Sequence, residues 1–121
     1  MTAAYRSLEL ELPDTRLRAG ALSGGNLQRF SLARELGHQP RVVVAVYPTR
    51  GLDARTAGHA QNLLLAARSS GSAVLLMSQD LEELFSLSDE LLVLRAGRIV
   101  GRSRPRETTE IEVGRLMTGG D

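Results

Sequence analysis

V-V-V-A-V-Y-P-T-R-G-L-D, residues 42–53, carries the strongest structural signal in the sequence. Its first five residues are apolar without interruption, mostly β-branched, and flanked by Pro40 and Pro48. Such a run is typical of a strand that is buried on both faces of a parallel sheet. The pattern that follows predicts a helix from Asp53 to about Ser69, with the aspartate as its cap.

Similar signals lie on both sides of this stretch, and together they give the fold class. The other predicted elements are a helix over 26–36 ended by Gly37, a second buried strand over 73–77, a short helix capped by Asp80, strands over 91–94 and 98–100 joined by the turn 95–97, and a helix over 107–117. The alternation of strands and helices indicates an α/β fold with a mostly parallel sheet, flanking helices and a C-terminal β-hairpin.

The composition excludes several classes of function. The chain has 121 residues, which suits one compact domain, and it contains no cysteine, so disulfides and thiolate chemistry are excluded. All 15 basic residues are arginine, and a phosphate-binding P-loop needs a lysine. No apolar run is long enough for a membrane span, and the first residues lack a secretory pattern. The two histidines, His38 and His59, are interpreted as a loop residue and a solvent-facing residue, and no metal site is predicted.

A second informative segment, L-S-G-G-N-L-Q, occupies residues 22–28 just before a predicted helix. Ser23 is suited to cap that helix, and the two glycines let a backbone approach a phosphate closely. A helix amino terminus also favours an anion. By itself the segment is better explained as a capped helix after a glycine turn. It resembles the signature motif of ATP-binding-cassette (ABC) ATPases, and we call residues 22–26 the signature turn.

The resemblance to ABC ATPases continues along the chain. Residues 42–53 resemble the Walker B strand and D-loop, residues 75–81 the switch segment, and residues 88–101 the hairpin that follows it. The match covers nearly all of the chain but only about the second half of an ABC ATPase domain. It implies a partial P-loop NTPase fold, with 1–37 as the end of a helical subdomain and 38–121 as the remainder. We therefore expect the two buried strands to lack a neighbour and to expose a sheet edge.

Three positions depart from the family pattern, and all three carry chemistry in the family. Val46 stands where an aspartate orders magnesium, Tyr47 where a glutamate acts as general base, and Gln79 where a histidine contacts the γ-phosphate. A valine does not bind a cation, and a phenol is protonated at neutral pH and does not polarise attacking water. The departures predict that the chain has no catalytic residues of its own and does not hydrolyse ATP alone.

The positions that act in trans in the family are retained. The resemblance implies that two ATPase domains pair head to tail, and that the signature turn of one closes over Mg-ATP held by its partner. The residues that would contact this ATP are Ser23, Gly24, Gly25, Asn26, Gln28 and Asp53. For Asp53, a purely structural role as helix cap is an equally good interpretation.

Within the family, the sequence resembles the degenerate second ATPase domain of bacterial importers for simple sugars or nucleosides, and the nucleoside branch fits better. This implies permease subunits as further partners and a location on the cytoplasmic face of the membrane. Two alternatives stay open: a DNA-acting ABC protein, and a non-enzymatic remnant or dimerisation module. The arginine run from Arg95 to Arg106 is interpreted as a solvated surface, with anionic lipid or nucleotide as the alternative.

Overall fold

The computed structural model describes Arg16 and residues 18–120. Residues 1–15, the beginning of the segment expected to end a helical subdomain, lie outside the described residues. The elements are α1 (Gly24–Leu36), β1 (Val42–Val46), α2 (Ala54–Ser69), β2 (Ala73–Met77), α3 (Leu81–Leu87), β3 (Leu91–Arg95), β4 (Arg98–Ser103) and α4 (Glu110–Thr118), with short 3-10 helices at Ala19–Ala21 and Pro105–Glu107. The α/β class is confirmed. The chain divides into two compact units, one ending at Met77 and the other beginning at Ser78.

The first unit is built on a parallel strand pair. β1 and β2 align from Val42 opposite Ala73 to Val46 opposite Met77, so both strands have the predicted bounds. The side chains of Ala33, Leu36 and Leu63 form the buried core of this unit, and they come from α1 and α2. The two helices therefore supply the apolar cover for one face of the strand pair.

The prediction that β1 is buried on both faces is wrong. Val42, Val44 and Val46 are 63%, 59% and 55% exposed, and Leu75 and Met77 of β2 are also exposed. In the part of the chain that the structure describes, the parallel sheet has only two strands, and its helices pack on one face. An uninterrupted apolar run is typical of a strand buried on both faces, whereas the described residues cover only one face of β1.

The second unit is an antiparallel hairpin with a helix against it. β3 and β4 pair from Leu91 opposite Ser103 to Arg95 opposite Arg98, with an irregularity between Val93 and Leu94. The turn residues Ala96 and Gly97 both have positive φ, of 49° and 75°, as the tight hairpin turn requires. Leu91 and Val93 form a buried core with Val113 of α4.

The last helix begins later than the sequence predicted. A helix from residue 107 was expected, but Pro105–Glu107 is a 3-10 turn and α4 starts at Glu110. Thr109 caps α4 through a capping box with Glu112, in which each side chain bonds the other residue's backbone amide. This reciprocal cap fixes the helix start at Thr109. None of the described helices is long and apolar enough to cross a membrane.

Candidate functional site

The signature turn leads directly into α1. Ser23 is the N-cap of this helix, and its Oγ accepts a hydrogen bond from the Asn26 amide at 3.3 Å. The helix begins at Gly24, two residues earlier than predicted. Ser23, Gly24 and Asn26 are exposed, so the amino terminus of α1 is accessible to a ligand.

Nothing in the described structure requires glycine at positions 24 and 25. Neither residue is among those with positive φ. A Cβ on Gly24 would meet nothing within 4 Å, and one on Gly25 would lie in ordinary contact with Thr56 Cγ2, at 3.5 Å. Glycine in a helix interior is about 1 kcal/mol less favourable than alanine. Close approach of a group from outside the chain would account for both glycines.

The end of β1 carries no group for magnesium or for water activation. The side chain of Val46 is exposed, and Tyr47 follows it with a positive φ of 48°, its amide bonded to Met77 O at 2.8 Å. The guanidinium of Arg50 lies 5.6 Å from the centre of the tyrosine ring. Among the described residues, no group of three or more acidic or histidine side chains is placed to hold a metal ion. At the end of β1, the side chains of Val46 and Tyr47 offer no carboxylate to a magnesium ion.

The D-loop, residues 48–53, forms tight turns that end at a helix cap. Its backbone bonds run from the Arg50 amide to Tyr47 O at 3.2 Å and from the Leu52 amide to Thr49 O at 3.1 Å. Asp53 is the N-cap of α2, as predicted, and its carboxylate accepts from the Thr56 amide at 3.0 Å and hydroxyl at 2.8 Å. These two bonds hold the pKa of Asp53 below its ordinary value. The exposed carboxylate therefore stays charged to a lower pH than an ordinary aspartate does.

Two hydrogen bonds join α1 to the D-loop and the start of α2. The Gln28 amide nitrogen donates to Pro48 O at 2.8 Å, and Arg29 Nη2 donates to Thr56 Oγ1 at 3.4 Å. Sequence reasoning missed Arg29 and Thr56. The spacing of a capping aspartate and a threonine three residues later is a signal for Thr56, whereas no local pattern points to Arg29. Gln28, expected at the nucleotide, has its amide nitrogen engaged within the chain.

The predicted site residues separate between the two units. Ser23, Gly25 and Asp53, together with their neighbours in the signature turn and D-loop, belong to the first unit. Gln79 is an exposed residue of the second unit. It precedes Asp80, the N-cap of α3, whose carboxylate accepts from the Glu83 amide at 3.1 Å.

Comparisons with known proteins agree with this fold. No protein-family model matches the chain. The chain is 43% identical, over 92% of its length, to the guanosine import ATP-binding protein NupO of Bacillus subtilis, of which it covers 22%. It is 42% identical, over 88% of its length, to the glucose import ATP-binding protein TsgD13 of Haloferax volcanii, of which it covers 19%. It thus spans about a fifth of the length of these curated relatives.

The fold also matches solved structures. A dimeric ATP-binding cassette in a post-hydrolysis state with ADP and phosphate superposes with a TM-score of 0.76 at 25% identity, over 88% of this chain and 46% of that one. The chain is therefore a segment of an ABC ATPase. More particularly, it matches just under half the length of a single ATP-binding cassette, and its relatives in sequence are import ATP-binding proteins for nucleosides and sugars.

Proposed function

We propose that the chain acts in an ABC importer for nucleosides or simple sugars by closing its signature turn over ATP bound by a second ABC domain. The pair of glycines at the start of α1 carries this proposal, because neither has a conformational or steric reason within the described structure. The amino terminus of α1 has exposed amides and no acidic residue in its first turn. Both features suit the phosphates of a nucleotide.

The proposal assigns the chain a supporting role in hydrolysis. Val46 and Tyr47 provide neither a magnesium ligand nor a general base, so the chemistry is assigned to the partner domain. Asp53, exposed and charged at the end of the D-loop, is proposed to contact the partner. Pairing head to tail, attachment to permease subunits and a position on the cytoplasmic face of the membrane belong to the same proposal.

The proposal is tested by substitutions in the signature turn. These substitutions leave every group that could take part in hydrolysis unchanged. In the transporter complex that contains the chain, we expect Ser23→Arg to abolish transport-coupled ATP turnover, because a bulky side chain blocks approach to the turn. Gly24→Ala, which has free space within the chain, should lower turnover without lowering the unfolding temperature of the chain.

The matched control is Ser69→Arg, which places the same side chain at an exposed position in the last turn of α2. This variant should turn over ATP at the wild-type rate. Wild-type turnover in Ser23→Arg would overturn the proposal and favour a module that only dimerises with an ATPase.

A further inference from the structure

Two exposed elements of the first unit meet at one buried threonine. Thr56, in the first turn of α2, is only 6% exposed. Its methyl carbon lies 3.5 Å from the position of a Cβ on Gly25, in the signature turn. Its hydroxyl donates to Asp53 Oδ2 at 2.8 Å, in the D-loop. Thr56 thus contacts the signature turn, which the proposed function assigns to the partner's nucleotide, and the D-loop, which it assigns to the partner domain.

The methyl group and the hydroxyl group of Thr56 make different contacts. The methyl group packs toward Gly25, whereas the hydroxyl bonds Asp53 and accepts from Arg29 of α1. A hydroxyl that accepts from a cation is polarised, which strengthens the bond that it donates to a carboxylate. Arg29, Thr56 and Asp53 therefore form a chain of hydrogen bonds that runs from α1 to the D-loop.

A second link between the same elements is independent of Thr56. Gln28 donates from its amide nitrogen to Pro48 O at 2.8 Å, and the proline is buried. The beginning of the D-loop is thereby tied directly to α1 at Gln28, and its end, Asp53, is tied through Thr56 to the next residue of α1, Arg29. Because one end is bonded to α1 directly and the other through Thr56, the D-loop and the signature turn are held at a fixed separation.

We propose that Thr56, Arg29 and Gln28 are positioning residues that make the signature turn and the D-loop one preassembled surface. This inference rests on the proposed function, since it explains how ATP bound at the turn and a partner domain at Asp53 engage together. Both loops are ordered when the chain folds. Binding of the partner domain therefore does not carry the entropic cost of ordering them. A displacement of Asp53 relative to the turn would then slow turnover more than it weakens nucleotide binding.

Two substitutions separate the roles of Thr56. Thr56→Val keeps the shape toward Gly25 and removes the hydroxyl, whereas Thr56→Ser keeps the hydroxyl and removes the methyl group. In the isolated chain, carboxyl NMR titration should show the pKa of Asp53 rising toward its ordinary value in Thr56→Val and staying low in Thr56→Ser. Thr118→Val, which removes an exposed hydroxyl from α4, is the control and should leave this pKa unchanged.

The functional measurement uses the transporter complex. Thr56→Val should lower kcat about tenfold with little change in KM for ATP, whereas Thr56→Ser and Thr118→Val should stay near wild type. Wild-type kcat in Thr56→Val, or equal losses in Thr56→Val and Thr56→Ser, would overturn the inference. Loss of turnover in Ser23→Arg with wild-type turnover in Thr56→Val would remove the inference and leave the proposed function standing.

A further variant covers the case in which Thr56→Val does not fold. Gln28→Met removes the bond to Pro48 at similar side-chain size and leaves the threonine intact. Amide hydrogen exchange at Arg50 and Leu52, whose bonds close the D-loop turns, should accelerate about tenfold. Unchanged exchange at these two amides would show that α1 does not hold the loop, and would overturn the inference by itself.

Discussion

The amino termini of α1 and α4 differ in how their free backbone amides are satisfied. Both helices present unpaired amides and a partial positive charge at this end. In α4 the chain satisfies them itself, through the Thr109–Glu112 capping box and one further acidic residue in the first turn, Glu110. In α1 the Ser23 Oγ accepts one cap bond, from the Asn26 amide at 3.3 Å. The first turn of α1 contains two glycines and no acidic residue. The difference is that α4 has acidic groups of its own at this end, whereas the first turn of α1 has none, as the proposed binding of a nucleotide phosphate requires.

The largest effect is expected from giving α1 the cap that α4 has. Asn26 lies three residues after Ser23, so Asn26→Glu creates the spacing of a capping box. We expect the chain to become more stable, by about 0.5–1 kcal/mol. ATP turnover in the complex should fall by about 100-fold or more, because the new carboxylate neutralises the partial positive charge at the start of α1 that the phosphates would need. Thermal unfolding and turnover assays measure the two effects.

The control for this variant is Asn62→Glu, the same substitution at an exposed position within α2. It should leave turnover unchanged. A stabilised Asn26→Glu chain with normal turnover would show that the open end of α1 does not receive the nucleotide, and the contrast between the two helices would lose its functional meaning.

An intermediate effect is expected from removing each cap in turn. Thr109→Ala should destabilise the start of α4 by about 1–2 kcal/mol, because it removes the hydroxyl that accepts from the Glu112 amide and donates to the Glu112 carboxylate. Ser23→Ala should destabilise α1 by about 0.5 kcal/mol, since only one hydrogen bond is lost. Hydrogen exchange at the Val113 and Leu27 amides reports each helix, because these amides make the first intrahelical bond after the cap. Equal losses would contradict the contrast.

The smallest effect is expected from acid. Hydrogen bonds from the Thr108 hydroxyl and the Thr109 amide and hydroxyl hold the pKa of Glu112 below its ordinary value of 4.5. Because folding lowers this pKa, the carboxylate's contribution to stability is complete above pH 4.5 and is lost as the pH falls through the lowered value. The amide shifts of α4 should change over this range, and Glu112→Gln should abolish the change.

Over the same range the start of α1 should change little, because its first turn holds no acidic residue. The Asn26 amide shift is the matched probe for this comparison. An acid transition at Asn26 that matches the one at Thr109 would indicate that the two helix ends share a titrating group, and the contrast between them would fail.

Local signals in the sequence determined most of the elements. The bounds of β1 and β2 were predicted correctly, because β-branched and apolar runs end at proline, glycine or polar residues. The caps Ser23 and Asp53 were also predicted from residue type and are confirmed as caps. The start of α4 was missed because Thr109 and Glu112 act together, and an acidic residue at 107 suggested an earlier start.

The remaining features depend on contacts that local patterns do not contain. The bond from Gln28 to Pro48 spans 20 residues and that from Arg29 to Thr56 spans 27, so neither is visible as a spacing. The one-sided burial of β1 also escaped prediction, because it depends on what packs against the strand rather than on the strand itself. The contacts of Ser23, Gly24, Gly25 and Asn26 with a nucleotide stay a prediction.

The exposed face of β1 bears on how long this chain persists in a cell. A row formed by Val42, Val44 and Val46 beside Leu75 and Met77 is an apolar strip next to strand edges, the kind of surface that drives aggregation and attracts chaperones. Proteases and chaperones compete for such surfaces. We therefore expect the amount of the chain in a cell to fall when no other polypeptide surface covers this strip soon after synthesis.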